Sequence, residues 1–245
     1  PGFLAVENNI PTMIVAAMFQ KEPQAIFVHP GQGLDTFESL KGIDLLISQV
    51  GLASFFRWME AEHGFSRARV RPYTFNSAPF CANQRLGQQG YVTAEPFGIR
   101  RNCGFDPVSY LLADHGFDTY ATTIEARRSM VEQEPDVVRR FVEGSIRGWA
   151  SYLDGNPEPG NALIKRDNPD MSDGQIAFSH EALKRYSILR SGETERLGIG
   201  AMTDQHMASF AQKLVRSGIL KADTDITRAY TLAFVNTGLA ASPGR

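Results

Sequence analysis

The side chain best placed for recognition chemistry is Glu95, in the run Gly90-Tyr-Val-Thr-Ala-Glu-Pro-Phe97. A short β-type stretch there ends in a glutamate and a proline. Proline cannot continue a central strand, so Glu95 is expected where a strand gives way to a loop. In open α/β sheets the carboxyl ends of strands are where ligands bind. A carboxylate so placed accepts charge-assisted hydrogen bonds from amino or ring N–H groups. Its alternative use is as a solvated loop acid or a charge at a helix N-terminus.

Other side chains stand at comparable ends. Gln20 follows an apolar run and can bond a heteroatom of a bound molecule or merely close the strand. Ser48 and Gln49, in Ser48-Gln-Val-Gly51, lie between a strand and a helix. Helix N-terminal amides there can face an anion or belong to a plain turn. Tyr73, Phe75, Asn76 and Phe80, in Arg71-Pro-Tyr-Thr-Phe-Asn-Ser-Ala-Pro-Phe80, offer rings and an amide, and Tyr91 adds another ring. Such rings stack on flat heteroaromatic molecules or pack into the core. Trp58 and Trp149 fall on helix faces and read as core. The charges and glycine of Asp114-His-Gly-Phe-Asp118 suit a turn better than an acid–base pair.

The five histidines show no H-x-x-x-H or mixed Cys/His spacing, so neither metal nor cofactor is expected. Cys81 and Cys103 form no C-x-x-C motif and are expected as two isolated core thiols, with a disulfide the alternative in an oxidising compartment. No nucleophile elbow, Walker loop or dinucleotide fingerprint occurs.

The elements that must position these residues alternate between strand and helix. Thr12 to Met18 and Gln24 to Val28 are nearly continuous apolar runs, as buried strands are. Leu40 to Ser48 reads as a helix end, a glycine stop at Gly42 and a third buried strand. Gly51 to His63 reads as a helix, with Leu52, Phe55, Phe56 and Met59 on one face and Gly64 as its stop. Val70–Phe75 and Gly90–Ala94 are further strand candidates, with Asn83 to Gln89 as a short helix or loop between them. This order predicts a mainly parallel sheet with helices on its faces.

Beyond about residue 124 the pattern is helix after helix. Pro135 fits a first helical position, and Val138, Phe141, Val142, Ser145, Trp149 and Tyr152 trace one face. Ser172 with Gln175 forms a capping box, and Thr203 opens a helix that Gly218 closes. A last helix is predicted from about Asp225, with Ile226, Tyr230, Ala233 and Phe234 inward. The fold class is therefore α/β with a helical C-terminal part, in two lobes: residues 1–29 with 120–245, and residues 30–119.

Composition narrows the partners. Lys and Arg (25) nearly balance Asp and Glu (27), with no basic stripe, so nucleic acid is not an expected partner. No apolar run approaches the roughly 20 residues that cross a bilayer, so no direct membrane span is expected.

Five segments, taken in order, resemble one family. They are Ile10-Pro-Thr-Met-Ile-Val-Ala-Ala-Met-Phe-Gln20, Gln24-Ala-Ile-Phe-Val28, Thr36-Phe-Glu-Ser-Leu-Lys-Gly42, Gly90-Tyr-Val-Thr-Ala-Glu-Pro96 and Glu134-Pro-Asp-Val-Val-Arg-Arg-Phe141. Together they are similar to the periplasmic solute-binding proteins of ABC importers, in the group that joins thiamine-pyrimidine-precursor binders with sulfonate and nitrate binders. The resemblance implies a two-lobe, type II periplasmic-binding-protein-like fold whose first lobe is incomplete at its N-terminus.

The same resemblance implies a small-molecule solute held between the lobes, an ABC permease in the inner membrane as partner, and a periplasmic or lipid-anchored extracytoplasmic location. Glu95 becomes a ligand contact, joined by Gln20, Ser48, Gln49, Tyr73, Asn76 and Tyr91. The first expected solute is a thiamine-type pyrimidine, followed by riboflavin or another flat heterocycle, then a sulfonate or nitrate. A carboxylate at position 95 favours a donor-bearing solute over an anion, which it repels. The enzyme alternative is a pyrimidine synthase of the same family. Its cysteine-rich iron-binding run has no counterpart in Asp118-Thr-Tyr-Ala-Thr-Thr-Ile124, and no enzyme activity is expected.

Overall fold

The computed structural model describes residues 2–241. Its first elements are α1 (Gly2–Glu7), β1 (Thr12–Phe19), β2 (Gln24–Val28) and β3 (Asp44–Ile47). Next come α2 (Gln49–Ala53), α3 (Phe55–His63), β4 (Val70–Pro72), α4 (Ala78–Ala82) and β5 (Leu86–Tyr91). After these follow α5 (Glu95–Cys103), β6 (Val108–Leu111), β7 (Ala121–Arg127), α6 (Arg128–Gln133) and α7 (Pro135–Asp154). The chain closes with α8 (Glu158–Asp167), α9 (Asp173–Arg185), α10 (Thr194–Leu197) and α11 (Asp204–Arg216). Pro1, the first residue of the opening segment, lies outside the described residues.

The contacts divide the chain into two compact units. One comprises residues 1–22, 119–215 and 220–245, and the other residues 23–118 with 216–219. From the sequence, β2 is expected in the first lobe, with a crossing near Val28–Pro30. Instead β2 pairs on both edges with strands of the second unit, β5 and β6. Backbone pairing thus draws the whole strand across, and the second unit begins at Pro23.

In the first unit β1 and β7 form an antiparallel ribbon, from Thr12 opposite Arg127 to Phe19 opposite Ala121. Helices dominate the rest. Val138, Val142, Ile146 and Leu153 of α7 are buried at helical spacing. Phe141, expected on that face, is exposed instead. The Ser172 hydroxyl accepts from the Gln175 amide to cap α9, and Thr203 Oγ1 accepts from the His206 amide at the start of α11.

The helix predicted from Asp225 is absent. Only a 3-10 turn, Ile226–Arg228, forms there. Tyr230 bridges to Ile14 of β1, and Tyr230 and Phe234 reach the core from irregular backbone. Pairing with β1 outweighs a local helical pattern that has no other anchor.

The second unit holds a five-stranded sheet in the order β4-β3-β5-β2-β6. It is mixed rather than mainly parallel: β3 runs parallel to β4 and β5, while β2 runs antiparallel to β5 and β6. Residues 86–89, expected as a helix or loop, form most of β5. The single helix expected over 51–63 breaks at Ser54 into α2 and α3. Phe55, Phe56, Trp58 and Met59 of α3 are buried, and Gly64 ends it at φ 69.

Candidate functional site

The parallel registers fix where the predicted site residues stand. Because β3, β4 and β5 all run one way, Ser48, Tyr73 and Tyr91 leave the sheet along one edge. Gln49, Asn76 and Glu95 lie just beyond them. Six of the seven predicted residues therefore stand along one edge of the second unit. Gln20 lies in the first unit.

Glu95 is the first residue of α5, with Pro96 behind it, and not a loop residue. The three residues between β5 and α5 form a turn. That turn brings the carboxylate back onto the strand end, where Glu95 Oε2 accepts from the Tyr91 amide at 2.6 Å. Burial pushes the carboxyl above its ordinary range, against the opposing pull of the Tyr91 and Glu95 backbone amides. Gly90 makes room for this return. A Cβ at position 90 would come 2.5 Å from Glu95 Cγ and 2.9 Å from Phe27 Cε2.

Tyr73 is buried and its phenol is pushed up by burial, with a hydrogen bond to Ser77 and the charge of Glu95 also acting on it. Its ring lies 5.2 Å from that of Phe75. Phe75 is 74% exposed and Tyr91 47% exposed. Phe75 also holds a left-handed backbone, φ 62, which a bulky residue rarely adopts. An apolar ring kept in water on strained backbone is a common mark of a functional surface. Asn76 is exposed, and its Oδ1 accepts from the amide of Ala78, the first residue of α4.

Ser48 is inward-facing. Its hydroxyl accepts from the Gly51 amide at 3.1 Å and its own amide donates to Gln89 Oε1 at 2.6 Å. The strand–turn–helix junction at Ser48 is thus built from internal bonds. Gln49 is exposed beside Val50, whose side chain is 77% exposed. Gln89, which ties the end of β3 to β5, escaped the sequence reading. Its only signal was a polar pair inside Gly87-Gln-Gln-Gly90.

In the first unit Gln20 is buried, and its Nε2 donates to Ala17 O at 3.1 Å and Ala201 O at 3.0 Å. Its Oε1 has no hydrogen-bond partner. Cys81 and Cys103 are joined in a disulfide, which corrects the expectation of two separate thiols. Their α-carbons stand 5.1 Å apart, a distance a disulfide spans, although 22 residues of sequence separate them.

Among the described residues no three His, Cys, Asp or Glu side chains gather as a metal site, and no helix is long and apolar enough to cross a membrane. What the edge offers is one carboxylate acceptor and two exposed rings. That combination suits a flat molecule bearing N–H donors.

The family model described as "NMT1/THI5 like" matches residues 2–159. The chain belongs to that family. This member is 27% identical over 242 residues to the riboflavin-binding protein RibY of Chloroflexus aurantiacus, covering 96% of this chain and 68% of that protein. Among solved structures it resembles the periplasmic aliphatic sulphonate binding protein SsuA of Escherichia coli, with TM-score 0.66 and 12% identity over 100% of this chain and 75% of SsuA. It also resembles the desulfurization enzyme DSZB, with TM-score 0.56 and 13% identity over 94% of this chain and 79% of that one. At such identities the likeness establishes a shared fold. The fold serves both binding and catalysis, so function must be argued from the site.

Proposed function

We propose that this family member is the solute-binding component of an ABC importer, and that its solute is a flat nitrogen heterocycle. The observation that carries the reading is the half-buried Glu95 carboxylate, held against the Tyr91 amide at the sheet edge that also carries the exposed rings of Phe75 and Tyr91. Burial keeps the carboxylate costly even with its backbone amide bonds, and a solute N–H donor offsets part of that cost at the moment of contact. The rings add stacking worth about 0.5–1.5 kcal/mol per pair.

The relative named for riboflavin binding favours a flavin-like ring system ahead of the thiamine-type pyrimidine that the sequence resemblance puts first. A sulfonate ranks last, because Glu95 repels an anion and the Ser48 amide is already donated to Gln89 within the chain. An ABC permease is the proposed partner. The disulfide supports the periplasm or another extracytoplasmic space, where such bonds persist. It also leaves no free thiolate for an iron-dependent synthase among the described residues.

Isothermal titration of the chain with riboflavin, with 4-amino-5-hydroxymethyl-2-methylpyrimidine and with an aliphatic sulfonate tests the reading. A heterocycle should bind, and Glu95→Gln should weaken it by roughly tenfold to a hundredfold, as loss of a charge-assisted bond does. Preference for the sulfonate, or indifference to Glu95→Gln, overturns it.

A further inference from the structure

The disulfide lies away from the residues it can influence. Cys81 is in α4 and Cys103 is the last residue of α5. Each helix follows a piece of the candidate site: α4 comes directly after Tyr73 to Ser77, and α5 begins at Glu95. Helical rise puts Cys103 roughly 12 Å along α5 from Glu95. The crosslink is therefore a remote constraint and not a solute contact.

Few buried side chains fix these helices. Of the nine residues of α5 only Ile99 is buried, and no side chain caps its N-terminus. The five-residue α4 buries Phe80 alone. That ring belongs to an aromatic group with His29 and Phe105, at centroid distances of 4.7 Å from His29 to Phe80 and 4.2 Å from His29 to Phe105. His29 Nε2 also meets the Phe80 carbonyl at 2.7 Å. This group seals the corner without sulfur, so the corner retains apolar packing when the disulfide opens. The crosslink adds a restraint on how α5 is aimed.

We propose that the Cys81–Cys103 disulfide is a positioning element for solute recognition, aiming α5 so that Glu95 stays against the Tyr91 amide, and that a dithiol reductant weakens binding by releasing it. In that step a thiolate of the reductant attacks one sulfur and forms a mixed disulfide. Its second thiol then closes the reductant's own disulfide. Two electrons and two protons end on Cys81 and Cys103 as thiols. The solute part of this inference rests on the binding reading above, whereas the aim of Glu95 can be read with no solute present.

The test compares the oxidised full chain with its Cys81→Ser/Cys103→Ser variant. Without solute, the Tyr91 amide should exchange with deuterium about threefold faster or more in the variant, while the sheet amides of Phe27 and Leu46 keep their protection. Unchanged Tyr91 exchange overturns the proposal. So does lost protection at Phe27 and Leu46, because the disulfide is then holding the fold. Riboflavin titration follows, with affinity expected to fall about three- to tenfold in the variant and that loss to disappear when Glu95→Gln is present in both backgrounds. A loss that persists alongside Glu95→Gln overturns positioning. If the oxidised chain binds none of the three solutes named above, the binding reading fails while the exchange comparison still decides the aim of α5.

Discussion

The Tyr91 amide donates to Glu95 Oε2 across the three-residue turn that joins β5 to α5. One backbone bond thus fixes a carboxylate at the edge where three parallel strands end. It also gives that carboxylate a pH dependence whose sign can be worked out. Burial is the largest influence on Glu95 and raises its pKa above 4.5.

The folded state consequently holds the Glu95 proton to higher pH than the unfolded state does. This group lowers stability as pH rises from its unfolded value through its raised folded value. Solute capture by the ionised carboxylate runs the other way and strengthens across the same rise. Calorimetric affinity for riboflavin should increase with pH through that window, and Glu95→Gln should flatten the profile. A flat profile for the unaltered chain contradicts the assignment.

Gly90→Ala is expected to act through Glu95. The added methyl group would lie 2.5–2.6 Å from the Glu95 side chain and 2.9 Å from Phe27. Either the carboxylate leaves the Tyr91 amide or the strand shifts, and overpacking of this kind costs about 1–3 kcal/mol. Denaturant unfolding should show that loss, accompanied by weaker solute binding.

Phe75→Gly separates stability from recognition. The ring is largely in water and its backbone is left-handed, a conformation glycine adopts readily. Stability should hold or rise by up to about 1 kcal/mol, while solute affinity falls with the lost stacking surface. A large loss of stability in thermal melting shows the ring to be a packing residue.

How much of this was open to the sequence depended on distance along the chain. The caps at Ser172 and Thr203, the stop at Gly64 and the apolar runs of β1 and β2 are local features, and the structure uses them. Strand β5 was obscured because Gly87-Gln-Gln-Gly90 carries no apolar pattern. It becomes a strand by pairing with β2 and β3, and Gly87 has no room for a side chain against Leu45 and Ile43. The polar, half-exposed β7 likewise carries no apolar pattern, and its partner β1 lies more than a hundred residues away. Glu95 was legible as a strand-end carboxylate. Its return onto Tyr91 depends on the three-residue turn and could not be read. The Cys81–Cys103 pairing depends on tertiary placement of two short helices, which spacing alone does not determine.

In the first unit, Glu193 supplies an acid-stability prediction. The hydrogen bond with His206 is the largest influence holding its pKa down to about 2, and Thr203 Oγ1 also donates to it at 3.0 Å. The unfolded chain therefore binds this proton more readily between about pH 4.5 and about pH 2. Stability from Glu193 is fully present above that window and is lost as pH falls through it. The pair is partly exposed, so solvent screening reduces the contribution to about 1–2 kcal/mol. Glu193→Gln should remove that part of the acid limb in denaturant titrations from pH 5 to 2. An unchanged limb contradicts it.

The bond between Tyr91 and Glu95 also bears on departure. In the proposed role, the protein must discharge its solute as well as retain it. Were the acid group stripped of every partner when the cargo left, each 1.4 kcal/mol of that desolvation would lengthen residence tenfold. The Tyr91 amide already bonds the Glu95 oxygen within the chain, so departure of the proposed solute would not strand a bare anion.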